Sequence, residues 1–222
     1  MASLAAVRAA IASILAALVM LLAACGGDDG ADPVTAEGPC EAASTPEPKE
    51  VALDPPPAKP GAQRLTAVVE TNCGVFEIAL DTKKSPKTVA SFAYLAENGV
   101  YDSTPWHRIA LSPPVIQGGD PTGSGTGGPG YSVDETPAAG TAYTRGVVAM
   151  AKTEAEPPGR SGSQFFVVTA ADAGLPPIYA VVGKVLKGFN VVEIISQFGD
   201  PSGQSETPLE PVVIRSVTIE EG

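Results

Sequence analysis

The chain is poor in the residues that hold metals and run hydrolytic triads. Its 222 residues include one histidine, three cysteines and one tryptophan. A metal centre draws on a cluster of ligands, and a lone His107 with three scattered cysteines supplies none. A Ser-His-Asp hydrolase needs its His as base. His107 sits between Trp106 and Arg108, so on an extended segment it points away from the face those two share. A buried, hydrogen-bonded structural His is the better reading, and neither metal nor other cofactor is expected. Basic residues are also scarce: 14 Lys and Arg stand against 25 Asp and Glu, for a net charge of −11. No basic block or aromatic-basic ribbon occurs, which argues against nucleic acid as a partner. It argues equally against electrostatic docking on anionic lipid.

Long apolar runs are missing after the first 24 residues. Within them Arg8 is the only charge, and Ala9 to Ala24 is apolar. A short positive region, an apolar stretch and small residues before a cleavage point make a signal peptide. The ending Leu22-Ala23-Ala24-Cys25 resembles the lipobox of bacterial lipoproteins, in which the Cys is lipidated and becomes the mature N-terminus. The alternative is a retained transmembrane helix, for which about 20 apolar residues are needed. Both readings put the remainder outside the cytoplasm, beside a membrane. Residues 25–62 read as a tether: Gly26-Gly27-Asp28-Asp29-Gly30, then Pro46, Pro48, Pro55, Pro56, Pro57 and Pro60. Such composition buries no core and stays extended. Pro55-Pro56-Pro57 could also serve as a polyproline ligand. With Cys25 lipidated, Cys40 and Cys73 remain. An oxidising compartment favours a disulfide between them, the alternative being two free thiols.

From Leu65 the pattern changes to short β-rich runs split by turns. Leu65 to Thr71 and Val75 to Leu80 flank Asn72-Cys73-Gly74, a hairpin signal. Further strands are expected over 116–120, 146–151, 164–169, 179–186 and 212–219. Ser85-Pro86 opens a helix that Gly99 stops. A second helix begins at Asn190, with Glu193 completing a capping box. Its Val191, Ile194, Ile195 and Phe198 share one face. Many short strands with two helices argue for a closed antiparallel barrel in residues 63–222.

Three segments carry the chemistry: Trp106-His107-Arg108, Gln117-Gly118-Gly119-Asp120 and Gly162-Ser163-Gln164-Phe165-Phe166. In this order they resemble the signature of the cyclophilin peptidyl-prolyl isomerases, with Trp106 where the family has Phe. The resemblance runs from about Leu65 to Glu220. It implies an eight-stranded closed barrel with a helix capping each end, and an enzyme that isomerises X-Pro bonds without a cofactor. By resemblance Arg108 is the catalytic arginine, and Gln117 orients it and the substrate carbonyl. Substrate contacts fall to Trp106, Val115, Ala151, Lys152, Gln164, Phe166, Leu175 and Tyr179. With the leader, this implies a lipid-anchored enzyme that acts on proline-containing segments of exported proteins. An inactive or weakly active peptide-binding module or chaperone is the competing reading.

Gly123-Ser124-Gly125-Thr126-Gly127-Gly128 matches the dinucleotide fingerprint letter for letter. Pro129-Gly130 follows instead of a helix, so no nucleotide is expected. The resemblance makes it a loop bordering the peptide groove. The departures from the family concern apolar wall. Pro114 and Val115 stand where an aromatic and a Met are usual, Val182 replaces a Phe, and Gly174 falls where many members carry Trp. In cyclosporin-sensitive members that Trp donates a hydrogen bond to the drug, so weak cyclosporin binding is expected here.

Overall fold

A computed structural model of the protein describes residues 40–56 and 64–222. The expected signal peptide, the expected lipidation site Cys25 and much of the expected tether lie outside these residues. Strands β1 (Leu65–Thr71) and β2 (Gly74–Leu80) form the expected hairpin, with Thr71 paired to Gly74 across Asn72-Cys73. Gly74 has φ +120°, a conformation that favours glycine. The Thr71 hydroxyl donates to Gly74 O at 2.7 Å and accepts from the Cys73 N–H at 3.0 Å. Ala67, Val69, Phe76 and Ile78 point into the core, as the two-residue period of a strand requires.

Helix α1 (Pro86–Glu97) starts at Ser85 with Pro at its first position. The Ser85 hydroxyl makes no capping bond; the Glu135 carboxylate instead accepts from Lys87 N–H at 3.2 Å and Thr88 N–H at 2.7 Å. Helix α2 (Phe189–Ser196) begins two residues earlier than its sequence signals, with Gly188 at the N-cap and Asn190 inside the first turn. Backbone crowding decides this. Gly188 has φ +72°, and a Cβ there would meet Val75 O at 2.5 Å. The capping box is not formed, and Glu193 pairs with Arg145 at 2.7 Å.

The other strands are β3 (Thr104–Pro105), β4 (Arg108–Leu111), β5 (Pro114–Gly118), β6 (Val133–Asp134), β7 (Val147–Met150), β8 (Arg160–Ser161), β9 (Phe165–Val168), β10 (Val181–Lys187) and β11 (Val213–Glu221). Nine of the eleven described strands form one antiparallel sheet in the order β3-β11-β1-β2-β10-β7-β9-β5-β4, while β6 pairs with β8. The expected closed eight-stranded barrel is therefore corrected to a curled sheet, a half-barrel. Its edge strands β3 and β4 are consecutive in the chain, separated only by Trp106-His107, where Trp106 turns its indole into the core.

That core holds Phe76, Phe92, Tyr101, Trp106 and Phe165, with ring centroids 5.0–6.2 Å apart and several edge-to-face. Edge-to-face pairs suit the ring quadrupoles. Residues 40–56 depart from the tether expectation: they lie along the domain without regular structure. Cys40 is bonded to Cys73, and Val51 and Leu53 pack against the core. Proline-rich composition supplies no core pattern of its own, yet isolated apolar side chains and backbone donors suffice to hold such a segment on a preformed surface.

Candidate active site

The β4–β5–β9 register places the site. Arg108 lies opposite Gln117, and Gln117 lies opposite Phe166. Cross-strand partners share a face, so this face also carries Ala110, Val115, Val168 and Ala149. These residues form a second apolar cluster with Phe166 and Tyr143, separate from the main core. The opposite face carries Ile109, Ile116, Val167 and Val148 into that core. A single alternation thus makes one side structure and the other a surface for a ligand.

A row of polar side chains borders the apolar patch. Arg108 Nη1 donates to Gln117 Oε1 at 3.0 Å, and Gln117 Nε2 donates to Gln164 Oε1 at 3.0 Å. Gln164 Nε2 donates to the carbonyls of Gly125 and Gly127, each at 3.0 Å. Behind the arginine, Glu206 accepts from Nε at 2.7 Å and from Nη2 at 3.0 Å. Glu206 is 98 residues from Arg108. The loop that presents it is ordered by Asp200, which accepts from the N–H groups of Ser202 and Ser205.

The glycine loop is pinned by buried Asp120. Its carboxylate accepts from Thr122 N–H at 2.8 Å, Thr122 Oγ1 at 2.9 Å, Gly125 N–H at 2.6 Å and Gly127 N–H at 3.0 Å. Burial pushes its pKa up, but these hydrogen bonds outweigh burial and leave it below the ordinary value. A Cβ on Gly127 would overlap Asp120 Oδ1, so only glycine fits that approach. The loop's work is thus done by backbone groups facing inward to a carboxylate and a glutamine, with none assigned to a phosphate.

Aromatic wall residues come from three segments. Phe166 meets Tyr179 edge-to-face at 5.4 Å, and Tyr179 meets Tyr143 at 5.8 Å. The buried Tyr143 hydroxyl donates to Tyr179 O at 2.7 Å and accepts from Tyr179 N–H at 2.9 Å. This fixes the backbone that carries the wall. Leu175 and Ala151 are partly buried against the same cluster. Lys152 Nζ lies 5.9 Å from the Tyr179 ring centroid. Beside the patch lies a cavity of about 500 Å³, bordered by Gln117, Gly128, Ala151, Lys152, Ser163 and Gln164.

The structure brings together Arg108, Gln117, Gln164, Phe166, Val115, Ala151, Lys152, Leu175 and Tyr179. It does not bring Trp106 to the groove. Trp106 is 1% exposed and stacks in the main core, so its expected substrate contact is corrected to a structural role. Val182 also faces the main core, so its small side chain does not thin the groove. Pro114 begins β5 in the same alternation as Ile116, so it falls on the face away from the patch, and Gly174 (φ +64°) has open space where a side chain would be. His107 departs from the expectation of a well-bonded ring: both nitrogens are buried and neither meets hydrogen-bond geometry among the described residues, although the Gln164 amide lies near enough to influence the ring. Burial lowers its pKa, Asp120 acts the other way, Arg108 lowers it further, and Gln164 raises it slightly. Glu206 and Tyr143 were not singled out from the sequence. No local pattern marks a carboxylate that meets its arginine across 98 residues. Among the described residues no cluster could hold a metal.

Residues 66–219 match the family model of the cyclophilin type peptidyl-prolyl cis-trans isomerase/CLD. The chain is 38% identical over 178 residues to peptidyl-prolyl cis-trans isomerase B of Streptomyces anulatus, covering 72% of this chain and 98% of that protein. It is 38% identical over 150 residues to peptidyl-prolyl cis-trans isomerase-like 1 of Neurospora crassa, covering 66% and 88%. Among solved structures, a Cryptosporidium parvum cyclophilin-type isomerase in the presence of the dipeptide Ala-Pro aligns with TM-score 0.63 and 29% identity, over 71% of this chain and 99% of that one. Register, polar row and sequence agree, and the chain belongs to the cyclophilin-type peptidyl-prolyl cis-trans isomerases.

Proposed function

We propose that Arg108 and Gln117 carry the isomerisation, and that the substrates are proline-containing segments of exported proteins. The observation that carries this is the Arg108–Gln117–Gln164 row beside the Phe166 patch. Isomerisation makes and breaks no bonds. Its barrier, about 18–20 kcal/mol, is the lost amide resonance of the twisting C–N bond. As the imide nitrogen pyramidalises it gains a lone pair, and a fixed cationic donor stabilises the twisted form more than either planar one. Arg108 suits this because its guanidinium stays charged and planar. Gln117 holds the guanidinium and can meet the substrate carbonyl, while Phe166, Val115 and Leu175 grip the proline ring. The Ala-Pro dipeptide with the related parasite enzyme supports this class of ligand.

A prolyl-peptide isomerisation assay tests the proposal, with Arg108→Ala beside the wild type. Loss of one well-placed donor costs roughly 100-fold or more. Equal rates at the uncatalysed value would sink the catalytic reading. A peptide-binding module of low turnover is then favoured, an alternative motivated by Val115 and the open rim at Gly174. We further propose that the protein acts at the outer face of a bacterial membrane, held by lipid on Cys25. The Leu22-Ala23-Ala24-Cys25 segment supports this. Intact mass of membrane-extracted protein should show loss of residues 1–24 and an added lipid; an unmodified full-length species would refute it.

A further inference from the structure

Residues 40–56 precede the span shared with the family, residues 66–219, yet they meet the domain at both ends of the glycine loop. The segment is anchored at its start. Cys40 is bonded to Cys73, Glu41 N–H donates to Asn72 O at 2.8 Å, and Asn72 Nδ2 donates to Glu41 O at 2.8 Å. Further on, Lys49 N–H donates to Pro121 O at 2.9 Å, and Leu53 N–H donates to Pro129 O at 2.8 Å. Pro121 and Pro129 are the residues immediately before and after the loop 122–128. The Lys49 ammonium donates to Gly99 O at 3.3 Å, to Val100 O at 3.4 Å and to Asp102 O, all in the turn that follows α1. A Cβ on Gly130 would meet Ala52 Cα at 3.0 Å, so the two backbones are in close contact.

We infer that this strap is a positioning element for the active site, fixing both ends of the glycine loop whose carbonyls hold Gln164. The inference rests on the isomerase reading of the groove. A segment with four glycines in seven residues has much conformational freedom to lose, and clamping its ends removes part of that freedom in advance. Gln164 Nε2 has both its acceptors on this loop. If the loop shifts, the amide loses both, and its Oε1 no longer holds Gln117 in line with Arg108. Cationic Lys49 also sits favourably at the C-terminal end of α1, where carbonyls accumulate. Burial lowers the Lys49 pKa, with Asp102 acting the other way, so this side-chain anchor of the strap is a partly desolvated charge whose removal is felt.

The test uses the full chain with Lys49→Met, which deletes the ammonium, and separately Leu53→Pro, which deletes the donor to Pro129. Lys49→Arg serves as the conservative control. Isomerase rates are measured well below the melting temperature, with amide hydrogen exchange followed at Gly125 and Gly127. We expect kcat/KM to fall roughly fivefold in Lys49→Met and Leu53→Pro, with Lys49→Arg close to wild type. Exchange at Gly125 and Gly127 should quicken about tenfold while β1 and β2 amides keep their protection. If Leu53→Pro fails to fold, Lys49→Met and the pair Cys40→Ser/Cys73→Ser decide. Unchanged kcat/KM in a folded variant overturns the inference, whether or not its melting temperature drops, because a merely stabilising strap moves melting alone. Should wild type itself show no isomerase activity, the isomerase reading fails, and unchanged Gly125 and Gly127 exchange then disposes of the strap separately.

Discussion

Replacing Glu206 by glutamine tests whether the Arg108 guanidinium must be aimed from behind. Three of its five N–H groups are engaged among the described residues, two of them by Glu206 at 2.7 and 3.0 Å and one by Gln117. A neutral amide of the same shape keeps one acceptor but sets an NH2 group against the guanidinium. Two opposing effects follow. Loss of the carboxylate raises the net positive charge near the substrate, which favours catalysis. At half-exposed positions (28% for Arg108, 48% for Glu206) water screens this gain to about 1 kcal/mol or less. Against it stands the freedom the arginine regains, since its side chain carries about 2 kcal/mol of rotamer entropy. Misaligned donors lose transition-state stabilisation steeply. Aiming should win by about 1 kcal/mol, a fall of about three- to tenfold in kcat/KM. Stability should change by less than about 1 kcal/mol, as for exposed pairs generally. The assay is protease-free prolyl isomerisation with urea melts alongside, repeated in an Arg108→Ala background. There Glu206→Gln should add nothing, because the two act as a unit. A rate equal to or above wild type in the single variant refutes the reasoning and makes Glu206 a damper of the arginine's charge.

Gly127→Ala should displace the loop, since its Cβ overlaps Asp120 Oδ1; we expect a stability loss of about 1–3 kcal/mol by calorimetry, with kcat/KM falling alongside. For His107, burial holds the folded pKa below its ordinary value. Between the folded value and about 6.5 the unfolded chain then binds more protons, so stability declines as pH falls through that window. Urea midpoints should drop from about pH 7.5 downward towards the folded value, and a His107→Asn variant should flatten that slope. Cyclosporin should bind at least about tenfold more weakly than to sensitive relatives, because Gly174 offers neither wall nor donor; nanomolar affinity by titration calorimetry would refute this.

Local chemistry was the legible part. The β1–β2 hairpin and α1 follow from turn glycine, Ser-Pro and alternation, which act within a few residues. Arg108 and Gln117 follow from motifs whose register pairs neighbouring strands. Where the expectation failed, a distant backbone had intervened. Crowding against Val75 and Phe76 placed α2's start at Gly188 over the better capping residue Asn190. Strand alternation puts Trp106 on the face of Arg108, but the indole is buried in the main core. Resemblance alone puts Val182 in the groove, and β10 turns it into the core. Proline-rich composition carries no periodicity, so from sequence the strap reads as a tether. The bonds that hold it run to Pro121 and Pro129 and use backbone N–H groups, which every residue but proline has.

The pairing of β1 with β11 joins residues more than 140 positions apart, from Leu65 against Glu221 to Thr71 against Ile214. A chain emerging in order cannot complete this ladder until β11 has been made. Until then β1 and β2 form at most a hairpin, and a lone hairpin is marginal in water. Loop-closure entropy must be met before such distant contacts return anything, which slows folding. The core around Val69, Phe76 and Ile78 also draws on Val182, Val191, Ile195 and Ile214, so it is completed late in synthesis, a period in which aggregation competes. The same topology that frames the isomerase groove thus makes its completion wait on the last strand.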